Sequence, residues 1–557
     1  MGGDGAARPR AHPLPPGRVP ELPRARGRGA WPLGRGARPG AAGGLSVADL
    51  PRSAAKPGVN PLVIAVLVSF GTLFEALNST ALSVALNTTA GNLGATAEES
   101  DGLITGYLVA NAAVMPLSGW AATYFGRKPY FIFCVILFTL TSVLCAMAWS
   151  IESLLVFRVL QGAAAAGNAS SESSIIADSF PPEKRGQGFA IYGMAVVVGP
   201  TLGPVFGGWA TDEYSWTLIF WLNVPMGILA AIGCWLLIED KPPIIEESKK
   251  RRAAGLGAVD WIGAGLAIVG LAALTIVLDQ GQSEDWFGSS MITAATIVSV
   301  ATLLILPFWE RFRRDPILDF TLFRNPNFAL SFVLLFGVGC VLFGGTSLYP
   351  LWLQQSFGYT ATDAGLALGF GGLAVFLLMP AAGGLTGKVA TRHLVAIGFS
   401  IMAVGLFMTV RVYEDYSFFQ LSLVRIGQTI GVSMLFVPLQ SHAFIGVPGR
   451  SSEQVAAFMN LARNLGGSVG TALGVTLLER NRQSYREDLV GYANPFRDEY
   501  AQAVEAYGGE QAFNRVIEEQ ATLLAYENLF FVYGVVALVG VLIAMMLRGK
   551  PTGKEQG

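Results

Sequence analysis

Long apolar stretches alternate with short polar connections along the chain, and this pattern predicts transmembrane helices. A helix needs about 20 mostly apolar residues to cross the hydrocarbon core of a bilayer. After residue 60, such stretches lie near residues 61–86, 103–123, 129–149, 153–176, 187–210, 217–238, 257–278, 290–309, 328–355, 364–385, 392–411, 419–441, 455–478 and 527–547. The sequence therefore predicts an all-α polytopic membrane protein with fourteen spans.

Basic residues gather in alternate connections, and this asymmetry predicts the orientation. Cytoplasmic loops carry an excess of Lys and Arg. The basic connections contain Arg127, Lys128, Lys184, Arg185, Lys249, Lys250, Arg251, Arg252 and Lys388, whereas the connections between them contain Glu98, Glu99, Asp101, Asp212, Glu213, Glu414 and Asp415. We therefore expect a multi-pass protein of the cytoplasmic (inner) membrane with both termini cytoplasmic. The polar segment 479–526 is then one long extracytoplasmic loop.

The composition of the chain also indicates a membrane protein. Hydrophobic residues make up 52% and charged residues 14%, compared with roughly 25% charged residues in soluble proteins. The net charge of -1 provides no overall positive potential that would attract nucleic acid. Residues 1–56 are rich in Pro, Gly, Ala and Arg. This composition predicts a disordered basic cytoplasmic tail, or a sequence whose predicted start lies too far upstream. The four Cys lie inside apolar runs and the three His are far apart, so we predict no metal site.

A weak internal repeat relates the two ends of the chain, because several pairs of like residues are separated by one constant offset. The matching pairs are Arg158 and Arg425, Gln161 and Gln428, Pro181 and Pro448, Gly199 and Gly466, and Gly203 and Gly470. Transporters are often built from such repeats around a central cavity. We therefore predict six-helix bundles at 57–240 and 316–548, with an inserted helix pair and its linkers at 241–315 and a cytoplasmic tail at 549–557.

Ionisable residues inside predicted spans are candidates for function because they are costly in a membrane. Glu75 lies midway along the first span, and Arg158 lies in the fourth. We predict that Glu75 carries a proton and that its protonation releases Arg158 or a cationic substrate. The alternative is that both residues only hold helices together. For Arg425 the structural role is favoured, and for Arg463 both roles stay open.

Glu172 lies near the inner end of the fourth span, in a polar stretch that begins at Asn168. The favoured interpretation is that the span ends before this stretch. The alternative is that Glu172 lines a wet cytoplasmic vestibule.

The fifth span contains glycines at four-residue spacing together with two prolines, a pattern that allows close helix contact and bending. The residues predicted to control conformation are Gly119, Gly126, Arg127, Lys128, Gly199, Pro200, Gly203, Pro204, Gly207 and Gly208. The residues predicted to line a substrate cavity are Phe74, Asn78, Tyr107, Asn111, Gln161, Phe343 and Arg463.

Several of these segments resemble one known family. Gly119–Lys128 is similar to the loop motif of the major facilitator superfamily, and RVLQG at 158–162 is similar to its fourth-span motif. The segments 217–227 and 460–474 resemble the EmrB branch of its fourteen-helix drug:proton antiporters of the EmrB/QacA type. This resemblance implies the major facilitator fold, with two six-helix halves plus two inserted helices.

Two departures from the family pattern stand out. The family usually has an Asp in a Leu-Asp-x-Thr stretch of the first span, where this chain has Leu77-Asn78-Ser79-Thr80. Glu75 lies three residues earlier on the same helix face, so we predict that it takes the proton role. The loop motif also has Thr123-Tyr124 in place of an Asp-Arg pair, which removes residues that usually form a charged latch.

The resemblance implies a proton-coupled antiporter for drugs or other amphipathic small molecules, driven by the proton gradient without a cofactor. It also implies a periplasmic adaptor and an outer-membrane channel as partners if the organism has two membranes. A dedicated exporter of one endogenous metabolite, such as a siderophore or antibiotic, is the alternative. An integral-membrane enzyme or a receptor would need a catalytic cluster or a folded soluble domain, and the sequence predicts neither. We therefore expect no enzyme activity.

Overall fold

The computed structural model describes residues 59–240, 242–255, 259–313, 315–412, 416–447, 451–493 and 498–547. These residues belong to one compact unit. The predicted tails at 1–56 and 549–557 lie outside the described residues.

The described chain is almost entirely helical. The first part forms α1 (Pro61–Leu93), α2 (Ala97–Phe125), α3 (Arg127–Ala146), α4 (Ile151–Ser179), α5 (Arg185–Glu213), α6 (Leu218–Trp221) and α7 (Asn223–Leu237). Then follow α8 (Pro242–Ala254), α9 (Trp261–Gln280) and α10 (Ser290–Glu310). The last part forms α11 (Pro326–Phe357), α12 (Ala361–Leu385), α13 (Thr391–Thr409), α14 (Phe418–Ala443), α15 (Ser452–Tyr492), α16 (Asp498–Ala506) and α17 (Glu510–Ala544). We call α1–α7 the N-terminal half and α11–α17 the C-terminal half.

Twelve helices of the described chain are long and apolar enough to cross a membrane. Each of the fourteen predicted spans overlaps a helix, and the two outside these twelve are α4 and α15. Both carry charged and polar side chains, but neighbouring helices enclose much of their length. A helix shielded from lipid needs no apolar surface, and its polar groups can find partners within the protein.

The helix α4 continues to Ser179 and buries Glu172 completely. The helix therefore continues through this stretch, while the favoured interpretation, that the membrane span itself ends before it, stays a prediction. Three serines of the stretch, Ser170, Ser173 and Ser174, donate to carbonyls of their own helix. Asn460 on α15 also donates to the Ser173 hydroxyl at 3.1 Å, so part of the polar stretch has partners inside the protein, whereas the Ser171 hydroxyl has none among the described residues.

The predicted long loop at 479–526 is shorter than expected. The helix α15 extends to Tyr492, and α17 starts at Glu510, so most of the segment prolongs two spans as helix. Residues with good helix propensity, including Glu, Arg, Gln and Ala, dominate these extensions.

The two halves repeat one packing arrangement. In the N-terminal half, Gly199, Gly203 and Gly207 of α5 lie against α1. In the C-terminal half, Gly466 and Gly470 of α15 lie against α11. Glycine lets two helix backbones approach closely because it has no side chain.

Hydrogen bonds also repeat between the two halves. Arg158 donates to Gln161 at 2.7 Å, and Gln161 donates to Ser142 at 2.7 Å. The corresponding bonds, Arg425 to Gln428 and Gln428 to Thr409, measure 3.0 and 2.7 Å. Thr409 follows Ser142 at the same offset that separates Arg425 from Arg158, so the structure extends the repeat to a pair that the sequence comparison did not include.

The inserted helices α9 and α10 pack against each other. Leu271 of α9 lies in a buried cluster with Met115 of α2 and Leu461 of α15. The inserted pair therefore stands beside the junction of the two halves.

Candidate functional site

Arg127 joins the two halves at one end of the bundle. Its backbone follows Gly126, whose φ of 95° lies in the region that favours glycine. The guanidinium pairs with Asp178 at the end of α4 and with Glu453 at the start of α15. Ser174 also donates to Glu453. We call Arg127, Asp178 and Glu453 the latch, and the end of the bundle that holds it the basic end, because Lys128 and Arg185 also lie there.

The latch is buried, with 3% exposure at Arg127 and 1% at Glu453. A buried charge is tolerated only when it is paired and hydrogen-bonded, and three charges meet here. The chain therefore forms a charged latch although Thr123-Tyr124 replaces the family's Asp-Arg pair. Sequence reasoning identified Arg127 but missed its two partners, Asp178 and Glu453, which lie just outside the predicted spans 153–176 and 455–478.

A polar layer lies deeper in the bundle and connects α15 to the N-terminal half. Asn460 donates to the carbonyl of Ala169 at 3.0 Å and accepts from the Tyr192 hydroxyl at 2.9 Å. Arg463 donates to the same hydroxyl at 3.2 Å. These bonds hold the Arg463 guanidinium at the interface between the halves.

Glu75 lies at this interface on the N-terminal side. Asn111 donates to Glu75 Oε1 at 3.3 Å, and Asn464 of α15 donates to the Asn111 carbonyl oxygen at 3.3 Å. The second oxygen, Glu75 Oε2, is buried without a hydrogen-bond partner among the described residues. Arg463 is near enough to interact electrostatically with Glu75. The structure thus brings together three residues that the sequence predicted separately: Glu75, Asn111 and Arg463.

Glu172 is a second buried acid on the same side of the interface, nearer the basic end. Thr72 on α1 donates to Glu172 Oε2, while Oε1 lies against the backbone of Gly71 and has no partner in the described chain. Glu172 interacts electrostatically with both Glu75 and Arg463. The site therefore contains two carboxylates and one guanidinium in a buried environment.

Arg158 has neutral partners. It donates to Asn78 Oδ1 at 2.8 Å and to Gln161 Oε1 at 2.7 Å, and its guanidinium stacks over the Tyr107 ring at 4.2 Å. Tyr107 interacts electrostatically with both Glu75 and Arg158. Asn78 holds this arginine from the position where the family usually has Asp. The structure shows no ion pair between Glu75 and Arg158 within its described residues, so their predicted exchange stays a prediction.

A small pocket lies between the halves, walled by α5, α11, α12 and α14. Phe343, a predicted cavity residue, lines it together with Pro200 of the conformational motif and Arg425. The other predicted cavity residues lie outside this pocket: Phe74, Asn78, Tyr107, Asn111, Gln161 and Arg463.

The predicted conformational residues divide by their contacts. Gly119 of α2 faces α15, where an added Cβ would lie 3.3 Å from Gln454 Cα. Gly207 faces α1, whereas an added Cβ at Gly208 would meet nothing within 4 Å. Lys128 donates from its side chain to the Trp235 carbonyl at 2.7 Å.

Membrane-crossing helices in two repeated halves, with buried charges at the junction, define the class of transporters that move their halves around a central site. A family model described as the Major Facilitator Superfamily matches residues 68–471, and the chain belongs to this superfamily of transporters.

Two relatives cover most of the chain. It is 32% identical over 503 residues to the multidrug export protein EmrB of Haemophilus influenzae, covering 89% of this chain and 97% of the relative. It is 31% identical to the probable multidrug resistance protein EmrY of Escherichia coli K12, covering 89% and 96%. Among solved structures, the human organic anion transporter MFSD10 (TETRAN) matches with a TM-score of 0.56 and 15% identity, covering 86% of this chain and 100% of that one. The structural match supports the fold.

Proposed function

We propose that this protein is a proton-coupled antiporter that exports drugs or other amphipathic small molecules by alternating access. The relatives named as multidrug export and resistance proteins support export of drugs. The concentration of Lys and Arg at the basic end supports a cytoplasmic location for this end and for both termini in the inner membrane.

The observation that carries proton coupling is the charge balance of the buried site. Glu75 and Glu172 are two acids, and Arg463 is one permanent cation. With both acids ionised the group carries one uncompensated negative charge, which is costly in a buried environment. One added proton makes the group neutral. The site therefore favours the uptake of a proton when it is closed from water and its release when water enters.

Glu75 connects this proton to movement of the halves. Its hydrogen bond to Asn111 continues to Asn464 in the C-terminal half. Protonation removes the charge that attracts Arg463 and weakens the bond from the Asn111 amide. Both changes loosen contacts across the interface, so the protonation state and the relative position of the halves depend on each other.

The latch sets which side is open. In this structure the ion pair between Arg127 and Glu453 joins the two halves at the basic end. Opening toward the cytoplasm requires this pair to separate. Proton binding at the deeper site and separation of the latch are then two steps of one cycle.

We further propose that a periplasmic adaptor and an outer-membrane channel complete the export path where two membranes are present. The prolonged helices α15 and α17 reach beyond the predicted spans at the end opposite the latch. They offer a surface at the end where such an adaptor would bind.

Uptake into everted membrane vesicles with an imposed pH gradient tests the proposed function. Chemically unrelated cationic, anionic and neutral compounds should accumulate, and collapse of the gradient should stop accumulation. Glu75→Gln should abolish the gradient-dependent part, whereas Glu479→Gln, which removes an exposed acid on α15, should not. Accumulation of one compound class alone would instead support the dedicated exporter. Full gradient dependence in Glu75→Gln would refute the role of Glu75.

A further inference from the structure

Arg425 is a buried cation without a carboxylate partner among the residues that the structure describes. It is 4% exposed. Its Nη1 donates to Gln428 at 3.0 Å, and its Nη2 donates to Thr346 at 2.7 Å. The guanidinium also stands over the Tyr349 ring at 5.1 Å. Its Nε has no acceptor within the described chain. Neutral groups therefore hold this cation while its charge stays uncompensated.

The repeat mate of Arg425 is placed differently. Arg158 is fully enclosed, and its closer ring contact is 4.2 Å from Tyr107. It also donates from Nε to the carbonyl of Leu103 at 3.4 Å. Arg425 instead lines the pocket between the halves. The repeat thus keeps the same Arg-Gln bond in both halves, but only the C-terminal copy faces this space.

The pocket combines apolar walls with hydroxyl groups beside the cation. The side chains that matter for the argument are Val196, Val197, Leu342, Phe343, Thr346 and Thr429. The first two come from α5 of the N-terminal half, and the others come from the C-terminal half. A ligand here contacts both halves, so movement of the halves changes its surroundings.

We propose that this pocket binds the acidic head group of an amphipathic organic anion, with Arg425 as the counter-ion. A guanidinium matches a carboxylate or sulfonate with two parallel hydrogen bonds, and such bonds are stronger than those between neutral groups. The apolar wall receives the hydrocarbon part of the ligand. A cationic ligand is repelled because Arg425 retains its charge. The inference deepens the proposed export function and names organic anions among its substrates.

Three para-butylphenyl probes of similar size, which differ in the charge of the head group, test the proposal by isothermal titration calorimetry with the purified full-length protein: para-butylbenzoate, para-butylbenzamide and para-butylbenzylammonium. The wild type should bind the benzoate most tightly. Arg425→Gln should weaken benzoate binding by about tenfold or more, since a hydrogen bond to a charged group contributes about 1.5–3 kcal/mol. Amide binding should change little. Arg411→Gln, which removes an exposed arginine, should leave all three affinities unchanged.

Arg425→Lys keeps a cation in the pocket and provides the second variant. It should retain the preference for benzoate over benzylammonium while binding benzoate less tightly, because Lys lacks the planar fork. Equal wild-type affinity for benzoate and amide, or an unchanged preference in Arg425→Gln, would overturn the proposal. Gradient-driven export by a protein whose binding shows no preference for the benzoate would overturn the pocket and leave the antiporter intact. Anion-selective binding without gradient-driven export would support the pocket and refute the antiporter.

Discussion

An added methyl group should destabilise the protein at Gly207 of α5 but not at the adjacent Gly208. Gly207→Ala adds a Cβ that would lie 2.4 Å from the Ala81 carbonyl oxygen and 2.7 Å from Ala81 Cα. Both are backbone atoms, which cannot rotate away as a flexible side chain can. Relief to an ordinary contact of 3.4 Å requires α1 and α5 to move apart by about 1 Å.

The expected magnitude follows from that displacement. Overpacking of a close contact typically costs about 1–3 kcal/mol. The gain in helix propensity from Gly to Ala, up to about 1 kcal/mol in water, acts in the opposite direction. Gly208→Ala has the same gain without the collision, since nothing lies within 4 Å of its added Cβ. The difference in unfolding free energy between the two variants therefore measures the cost of the close contact at Gly207.

Thermal unfolding of the purified proteins in one detergent measures this difference. Gly207→Ala should unfold at a clearly lower temperature than the wild type, and Gly208→Ala at the same temperature or higher. Proton-driven export should fall with Gly207→Ala because α1 carries Glu75. Equal unfolding temperatures for the two variants would refute the close contact between α1 and α5.

Two further predictions concern the latch and the repeat. Glu453→Gln should release Arg127 from the C-terminal half and speed maleimide labelling of a Ser174→Cys variant from the basic end; an unchanged labelling rate would argue that the latch does not hold this end closed. Gln161→Leu and Gln428→Leu should each lower stability by about 1–3 kcal/mol, because each leaves a buried arginine with one acceptor fewer. A large difference between their unfolding temperatures would contradict the equivalence of the two networks.

The sequence alone predicted those features that depend on a single residue or on a single segment. Apolar length predicted the helices, and the isolation of Glu75 within an apolar span identified it as a candidate. The constant offset between like residues predicted a repeat that the bonds of Gln161 and Gln428 extend. These features depend on local composition or on comparison of the chain with itself.

The remaining features depend on contacts between distant segments. Glu172 sits in a polar stretch that looks like a helix end, and only enclosure by α1 and neighbouring helices makes it a buried acid. No sequence pattern around Glu453 indicates that it pairs with Arg127. Arg425 looks like a structural arginine until the space between α5 and α11 is known. Such information lies in how the helices pack, which residue spacing does not specify.

Proton release on substrate binding tests the central claim most directly. The purified protein, in weakly buffered detergent solution with a pH indicator, is mixed with a transported compound that does not titrate near the working pH. The account predicts that the wild type releases protons, that Glu75→Gln releases fewer, and that Glu479→Gln matches the wild type. Equal proton release by the wild type and Glu75→Gln would contradict the claim that the buried carboxylate of Glu75 couples substrate to protons.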